Sequence, residues 1–298
     1  VWKKMQADRF IESLLLGLPV PGIFLVKEES GKHLVLDGHQ RLQTLYRFYS
    51  NDWEDGAFAL ESVQERFRNR TYEQLEPADR RRLDDSIIHA TIIRQDEPSE
   101  DLSSIYLIFE RLNSGGTSLH PQEIRVALYH GTFVQFLTSL NTYASWRALF
   151  GRKSRRLKDI ELILRFFALL ESSKKYSRPM KGFLSGYMGH RRNLGAQLEN
   201  DFRELFQQTA DAILRGIGPK AFKPRATVNA ALVDALMVGV ARRIRTKGAD
   251  IQPRSLKAAY TLLLRSKDFQ DAIGKATADE ENVKGRLELA TSVIADVE

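Results

Sequence analysis

The residues best suited to do chemistry form one short segment that combines an acid, a glycine and an arginine. The segment spans residues 34–42 and reads LVLDGHQRL. We predict a strand that turns at Asp37-Gly38 directly into a helix, because glycine allows a sharp turn and a close approach of main chain to a ligand. The N–H groups at such a helix start bind anions, an arginine can clamp phosphate, and an acid can hold a metal ion. The segment therefore fits a nucleotide.

Helices and short strands are predicted around this segment to hold it in place. An amphipathic helix over 4–18 precedes a β-hairpin made of Gly22–Val26 and His33–Leu36. The helix after Asp37 should end near Asn51, and its apolar positions Leu42, Leu45, Tyr46 and Tyr49 recur at spacings of three and four, which is typical of one face of an amphipathic helix. Two more strands are predicted further along the chain, over 57–60 and 86–94.

A second segment, residues 109–117, reads FERLNSGGT and marks the change to an all-helical pattern. A helix over 99–112 should stop at Asn113, and another should begin at Pro121. Beyond about residue 131 only helices are predicted, the clearest over Asp159–Leu170, Val228–Ile244, Pro253–Leu264 and Asn282–Ile294. The predicted fold class is α+β, with a small α/β domain over 1–130 and a helical bundle over 131–298.

Composition and charge narrow the function classes. The 298 residues include no cysteine, which excludes disulfides and thiolate metal sites. No apolar run is long enough to span a bilayer and no leader pattern is found, so we expect a cytoplasmic protein without membrane contact. The net charge of +7 and a pI near 9.5 are compatible with nucleic-acid binding and equally with a solvated basic surface.

One basic run stands out as a candidate for contact with DNA phosphates. It consists of Arg152, Lys153, Arg155 and Arg156 and contains no acid before Asp159. The other basic clusters, over 66–70, 80–82, 190–192 and 242–247, are interpreted as solvated faces. We expect the nearby Trp146 and Phe150 to lie in the core rather than to stack on bases. Glu12 is predicted either to pair with an arginine, such as Arg41 or Arg125, or to be exposed.

Taken together, these motifs resemble the N-terminal domain of GmrSD-type modification-dependent restriction systems, which is similar to the ParB and sulfiredoxin fold. The resemblance is carried by the segments 11–21, 37–42, 109–116 and 123–125. The hallmark of the family is an Asp-Gly-Gln-Gln-Arg loop, which reads Asp-Gly-His-Gln-Arg here because His39 replaces the first glutamine. The helical remainder, including 156–165 and 282–286, also resembles the helical part of this family.

The resemblance implies a nucleotide-binding domain of bacterial anti-phage defence that hydrolyses NTP with Mg²⁺. The acid and arginine of the family correspond to Asp37 and Arg41, and we add Glu110 as a third catalytic candidate that orients water. Asp37 and Asn113 are the predicted Mg²⁺ ligands. The predicted nucleotide contacts are Gly38, His39, Gln40, Thr44, Asn113, Gly115, Gly116 and Arg125.

Two histidines matter for comparison with the family. His120 stands where the family usually has an asparagine before the second helix, so we expect a weaker helix cap there. His190 is the only histidine beyond residue 130, and one histidine cannot supply both the base and the metal ligand of a His-Asn-His nuclease. We therefore expect any nuclease activity to come from a partner.

Three hypotheses about function follow from the sequence. In the first, NTP turnover by this chain gates the binding or cleavage of DNA. In the second, the chain is a ParB-like DNA-binding or DNA-nicking module without NTP turnover. In the third, it is a non-enzymatic interaction subunit that nucleotide controls. None of the motifs identifies the nucleotide base or the DNA modification.

Overall fold

The protein has a mixed α+β fold with a small sheet and many helices, as a computed structural model describes it for residues 2–27, 31–54, 56–94, 103–112 and 119–298. It divides into two compact units. Unit 1 comprises Val1–Pro98 with Arg111–Asn113, and unit 2 comprises Ser99–Glu110 with Ser114–Glu298. The predicted fold class is confirmed at this level, while the likeness to ParB and sulfiredoxin and the domain boundary at residue 130 stay predictions.

Unit 1 contains a three-stranded sheet and three helices. Its elements in chain order are α1 Lys4–Leu15, β1 Ile23–Lys27, β2 His33–Asp37, α2 His39–Tyr49, α3 Pro77–Asp84 and β3 Ala90–Ile93. The strand order is β2-β1-β3, with β1 antiparallel to β2 and parallel to β3. The predicted hairpin and the strand within 86–94 are confirmed, although the second is shorter than predicted.

The core of unit 1 forms between α1, α2 and the segment that follows α2. Residues Phe10, Ile11 and Leu14 of α1 are buried with Phe48 of α2. The carboxylate of Asp8 is fully buried, pairs with Lys4 and accepts the N–H groups of Glu61 and Ser62 at 3.1 and 3.0 Å. This carboxylate attaches the segment after α2 to α1.

Two predictions for unit 1 are wrong in detail. Residues 57–60 do not form a strand; Phe58 and Leu60 are apolar because they enter the core. On α2 the buried side chains are Thr44 and Phe48, whereas Tyr46 is 70% exposed and Tyr49 is also exposed. Their hydroxyl-bearing rings can face water at one end, which apolar spacing alone does not reveal.

The side chain of Glu12 follows neither of its two predicted alternatives. Its Oε1 accepts the main-chain N–H of Gln64 at 2.6 Å. The helix that carries it is also shorter than predicted, because α1 ends at Leu15 and Gly17 adopts a φ of +69°. Leu18, the last residue of the predicted helix, consequently lies beyond α1 and is exposed.

Unit 2 is helical throughout its described part. Its helices are α4 Ser103–Leu112, α5 Pro121–Leu128, α6 Thr132–Leu140, α7 Ala144–Phe150, α8 Lys158–Ser172, α9 Met180–His190, α10 Ala196–Gly216, α11 Ala230–Lys247, α12 Pro253–Arg265, α13 Lys267–Gly274 and α14 Glu280–Ala295. The predicted all-helical pattern is confirmed for these residues. Helices α8 and α11 are buried over most of their circumference, as the continuous apolar pattern of α8 predicts.

A buried ionic network joins three helices in the core of unit 2. Asp234 of α11 accepts two hydrogen bonds from Arg165 of α8, at 2.9 and 2.5 Å, and one from Arg286 of α14, at 2.8 Å. Burial alone would raise the pKa of Asp234, but the two guanidinium groups outweigh it, so this pKa lies below its ordinary value. The carboxylate is therefore charged and holds the two cations in place.

Replacing this carboxylate tests the network. Asp234→Ala leaves two guanidinium groups without their counter-charge, and we expect it to lower the free energy of unfolding by about 3–5 kcal/mol. Since the pKa of Asp234 is lowered in the folded state, its contribution is present above the ordinary aspartate pKa and is lost as the pH falls through the folded value. Urea unfolding of wild type and variant should therefore differ at pH 7 and converge in acid.

A matched control is Asp271→Ala, which removes an exposed carboxylate of α13 that pairs with Lys275. We expect this variant to cost less than about 0.5 kcal/mol. Equal costs for the two substitutions would contradict the role given to Asp234.

Candidate functional site

The sharp connection between β2 and α2 depends on Gly38. This residue is the N-cap of α2 and has a φ of +97°, in the left-handed region. A Cβ atom at this position would lie 2.3 Å from Cγ2 of Ile23 in β1. Both the conformation and the space therefore require glycine, and the strand–turn–helix predicted from the sequence is confirmed.

A β-bulge sets the orientation of Asp37, the last residue of β2. The register changes from Leu25 opposite Val35 to Phe24 opposite Asp37, so Leu36 is the extra residue. Leu36 is buried, and the carboxylate of Asp37 is partly open to solvent. Bulges reorient the side chains that follow them, and here the residue that follows is the predicted catalytic acid.

The guanidinium of Arg41 donates hydrogen bonds to two acceptors near the turn. Its Nη2 donates to Oδ2 of Asp37 at 2.5 Å and to the carbonyl oxygen of Gly22 at 3.0 Å. The arginine side chain is only 12% exposed, against 39% for Asp37, and its Nε is buried without a hydrogen-bond partner. A Cβ on Gly22 would lie 2.8 Å from the carbonyl oxygen of His89, so this main chain is closely packed. Sequence analysis missed Gly22, which carries no signal beyond following a proline.

The first turn of α2 presents the remaining groups of the predicted loop. The first bond of the helix runs from the N–H of Leu42 to the carbonyl of Gly38, so the N–H groups of His39 to Arg41 have no acceptor within the helix. His39 is exposed. Oε1 of Gln40 accepts the main-chain N–H of Trp2 at 2.8 Å, which ties the start of the chain to this loop.

Thr44 and four further residues predicted for the site lie outside the turn between β2 and α2. Thr44 is buried on the core side of α2. Glu110 on α4 accepts two hydrogen bonds from Lys181, at 2.9 and 3.0 Å. Asn113, Gly115 and Gly116 lie outside the described residues. Roles in nucleotide binding or catalysis stay predictions for all five.

Arg125 is a buried cation inside unit 2. It is 1% exposed, donates to Oε1 of Gln122 at 2.8 Å and forms an ion pair with Glu161. Burial lowers the pKa of Arg125, while Glu161 opposes that effect. These contacts support a structural role, and they give no support to the predicted contact with nucleotide.

The start of α5 is capped by two side chains. The ring of His120 accepts the N–H of Gln122 at 3.4 Å, a long and therefore weak bond, as the sequence led us to expect. Glu123 compensates by accepting the N–H of His120 at 2.6 Å, which completes a capping box.

A metal ion would find few protein ligands here. Within the ranges that the structure describes, no group of three or more His, Asp or Glu side chains is arranged to hold a metal. Mg²⁺, however, commonly takes one or two carboxylates and completes its shell with phosphate oxygens and water. The half-exposed carboxylate of Asp37 fits that need as a single ligand.

The basic run before α8 differs from the other basic clusters of the chain. Arg152, Lys153 and Arg155 are exposed, and no partner is recorded for them among the described residues, whereas Arg156 pairs with Glu123 at 3.1 Å. Several cations of the other basic clusters form ion pairs, namely Arg66–Asp79, Arg68–Glu65, Arg70–Glu76 and Arg191–Glu171. As predicted, Trp146 is fully buried.

The N-terminal part of the chain, which contains the Asp-Gly-His-Gln-Arg turn, matches a known protein family. Residues 1–130 match the family described as GmrSD restriction endonuclease, N-terminal domain. The resemblance inferred from the motifs is thus confirmed for residues 1–130. Neither the curated proteins nor the solved structures include a match to the chain.

None of the helices in the described ranges is both long enough and apolar enough to cross a membrane.

The turn itself can be tested by substitution. Gly38→Ala adds a side chain at positive φ and against Ile23, and we expect it to destabilise unit 1 by about 2–4 kcal/mol. Gly17→Ala is the matched control, since Gly17 also has positive φ but open space around the added Cβ; it should cost only about 1–2 kcal/mol. Thermal unfolding measures both, and equal shifts would mean that close packing at Gly38 is unimportant.

Proposed function

We propose that residues 1–130 bind a nucleoside triphosphate at the Asp37–Arg41 turn and hydrolyse it with Mg²⁺. One observation carries the proposal: a nearly buried guanidinium lies within 2.5 Å of a half-exposed carboxylate, directly beside a helix start. These are the three elements that phosphoryl transfer to water requires, namely a cation, an acid and main-chain donors. The match to a restriction-system domain supports the same proposal.

Each group has a distinct role in this proposal. The N–H groups of His39, Gln40 and Arg41 bind phosphate oxygens at the start of α2. Arg41 neutralises the charge that develops during phosphate transfer. Asp37 orients the attacking water or serves as a ligand to Mg²⁺. A Mg²⁺ ion held by Asp37 would supply positive charge that offsets the charge of the phosphates.

The ion pair between Asp37 and Arg41 implies a rearrangement on binding. A phosphate that contacts Arg41 competes with Asp37 for the same guanidinium. Because the carbonyl of Gly22 continues to hold one side of that group, Arg41 need not leave its place. Asp37 is then free to act on water or metal, so phosphate binding and release of the acid occur together.

In the complete reaction, NTP turnover would gate the binding or cleavage of DNA, with the nuclease supplied by a partner. The family description supports a restriction role. A second candidate is DNA binding or nicking without turnover, which the exposed cations at 152–155 favour. A third outcome, nucleotide binding without hydrolysis, would make the chain a nucleotide-controlled interaction subunit.

Phosphate release tests the catalytic assignment. We expect Mg²⁺-dependent release from at least one of the four NTPs, and a drop of about 100-fold or more in Asp37→Ala and Arg41→Ala. Arg41→Lys keeps the charge but loses the two-sided geometry and should recover only a small part of the activity. The measurement is inorganic phosphate produced per unit time at saturating NTP.

Arg9→Ala, which removes an exposed cation of α1, is the control and should hydrolyse like the wild type. Undiminished release in both Asp37→Ala and Arg41→Ala would refute the site. If the wild type binds NTP but releases no phosphate, the interaction-subunit hypothesis is favoured. If DNA binding occurs and NTP has no effect on it, the second candidate is favoured.

Thermal stability provides a separate measure of binding. A ligand that binds only the folded state adds about 2.7 kcal/mol at one hundred times its Kd. We therefore expect one NTP with Mg²⁺ to raise the unfolding temperature by several degrees and the others to raise it less. Arg41→Ala should abolish the rise, since it removes the phosphate-binding cation, while Arg9→Ala should retain it.

A further inference from the structure

Two neighbouring loops of unit 2 contain several cations and no acid. Loop A, residues 151–157 between α7 and α8, contains four Arg and Lys residues. Loop B, residues 217–229 between α10 and α11, contains three, namely Lys220, Lys223 and Arg225. Neither loop contains an acid, and together they contain seven cations.

Loop A is held in a fixed shape by a buried acid. Asp159, at the start of α8, is 1% exposed and accepts the N–H of Ser154 at 3.1 Å and a guanidinium N–H of Arg147 at 2.9 Å. Arg147 also donates to the carbonyl of Gly151. The acid closest to the loop is thus already neutralised inside the protein, while the cations of the loop stay outside.

Loop B is anchored by two buried residues with cations on either side. Ala221 and Phe222 are fully buried, and the hydroxyl of Tyr260 donates to the carbonyl of Ala221 at 3.1 Å. The carbonyl of Phe222 accepts the N–H of Asn229 at 2.9 Å. Because the anchor points inward, the cations that flank it lie at or near the surface, and Lys220 and Arg225 are exposed.

The two loops are neighbours in the fold. The Nζ of Lys223 lies 3.5 Å from the point that a Cβ on Gly151 would occupy. Beneath them Trp146 of α7 packs on Phe222 of loop B, with ring centroids 5.9 Å apart. Helices α7 and α10 therefore bring together two basic loops that are more than 60 residues apart in the sequence.

We propose that loops A and B form one surface that binds the phosphate backbone of duplex DNA. Six of the seven cations are available, since Arg156 is paired with Glu123. Two adjacent loops with six available cations and no acid fit a polyanion whose charge repeats every 1.7 Å along the helix axis. Compared with the DNA-contacting residues predicted from the sequence, this surface adds Lys220, Lys223 and Arg225 and omits Arg156. The choice of duplex DNA as the partner rests on the proposed function, whereas the cationic surface itself is argued from the structure.

Charge reversal in each loop tests the surface. One variant carries Arg152→Glu, Lys153→Glu and Arg155→Glu, and the other carries Lys220→Glu, Lys223→Glu and Arg225→Glu. Binding to a fluorescent 30-base-pair duplex is measured by anisotropy at several salt concentrations, without nucleotide. Each phosphate contact contributes about 0.9 to the slope of log affinity against log salt. We expect each variant to lose at least about tenfold in affinity and about two to three units of slope.

The control reverses three exposed cations elsewhere in unit 2, with Lys174→Glu, Lys175→Glu and Lys257→Glu. It should bind DNA like the wild type, because its change in net charge is the same but its position differs. Because Lys223 touches loop A, the milder pair Lys220→Gln and Arg225→Gln is included, and circular dichroism and thermal unfolding establish that every variant folds.

The outcomes separate this proposal from the proposed nucleotide site. Equal loss in the control, or a wild type whose binding is independent of salt, would overturn it. A folded loop B variant that binds normally would overturn the claim that the two loops act together. Loop variants that lose DNA binding but still release phosphate support it, and absence of phosphate release in the wild type would leave it standing while refuting NTP hydrolysis.

Discussion

Steric space at one glycine determines the geometry on which the N-terminal unit depends. With φ at +97° and Ile23 directly behind it, Gly38 lets β2 and α2 meet at a single residue. That short connection places Asp37 and Arg41 on consecutive elements, four residues apart, close enough to pair. The bulge at Leu36 adds the orientation of the acid. A longer connection would separate the acid from the cation, so the chemistry of the turn depends directly on its packing.

Local sequence patterns predicted the positions of helices and strands better than they predicted which of their side chains are buried. The hairpin, the turn and the long helices follow from periodicity and from glycine and proline positions, which act within a few residues. The buried face of α2 does not, since Tyr46 and Tyr49 have the spacing of core residues but are exposed, and Phe48 fills the core. Phe58 and Leu60 similarly suggest a strand, although their burial comes from contact with α1. Which side chains of an element are buried depends on packing partners that are distant in the sequence.

The candidate site shows the same division between local and distant information. Its acid, glycine and arginine could be named because they are consecutive or nearly so. The carbonyl of Gly22, which completes the hold on Arg41, comes from the residue just before β1, and glycine has no side chain that could signal such a contact. Arg125 could not be assigned from sequence either, because a motif does not reveal that its guanidinium is buried against Glu161 and Gln122.

The concentration of charge in loops A and B also affects how the protein approaches other molecules. A surface that has several cations and no acid of its own has a positive electrostatic potential. In the field of a polyanion such an uneven charge distribution experiences a torque before any contact is made, which turns this surface toward the polyanion. Over distances comparable to the Debye length, about 8 Å at physiological salt, this orientation raises the frequency of productive encounters.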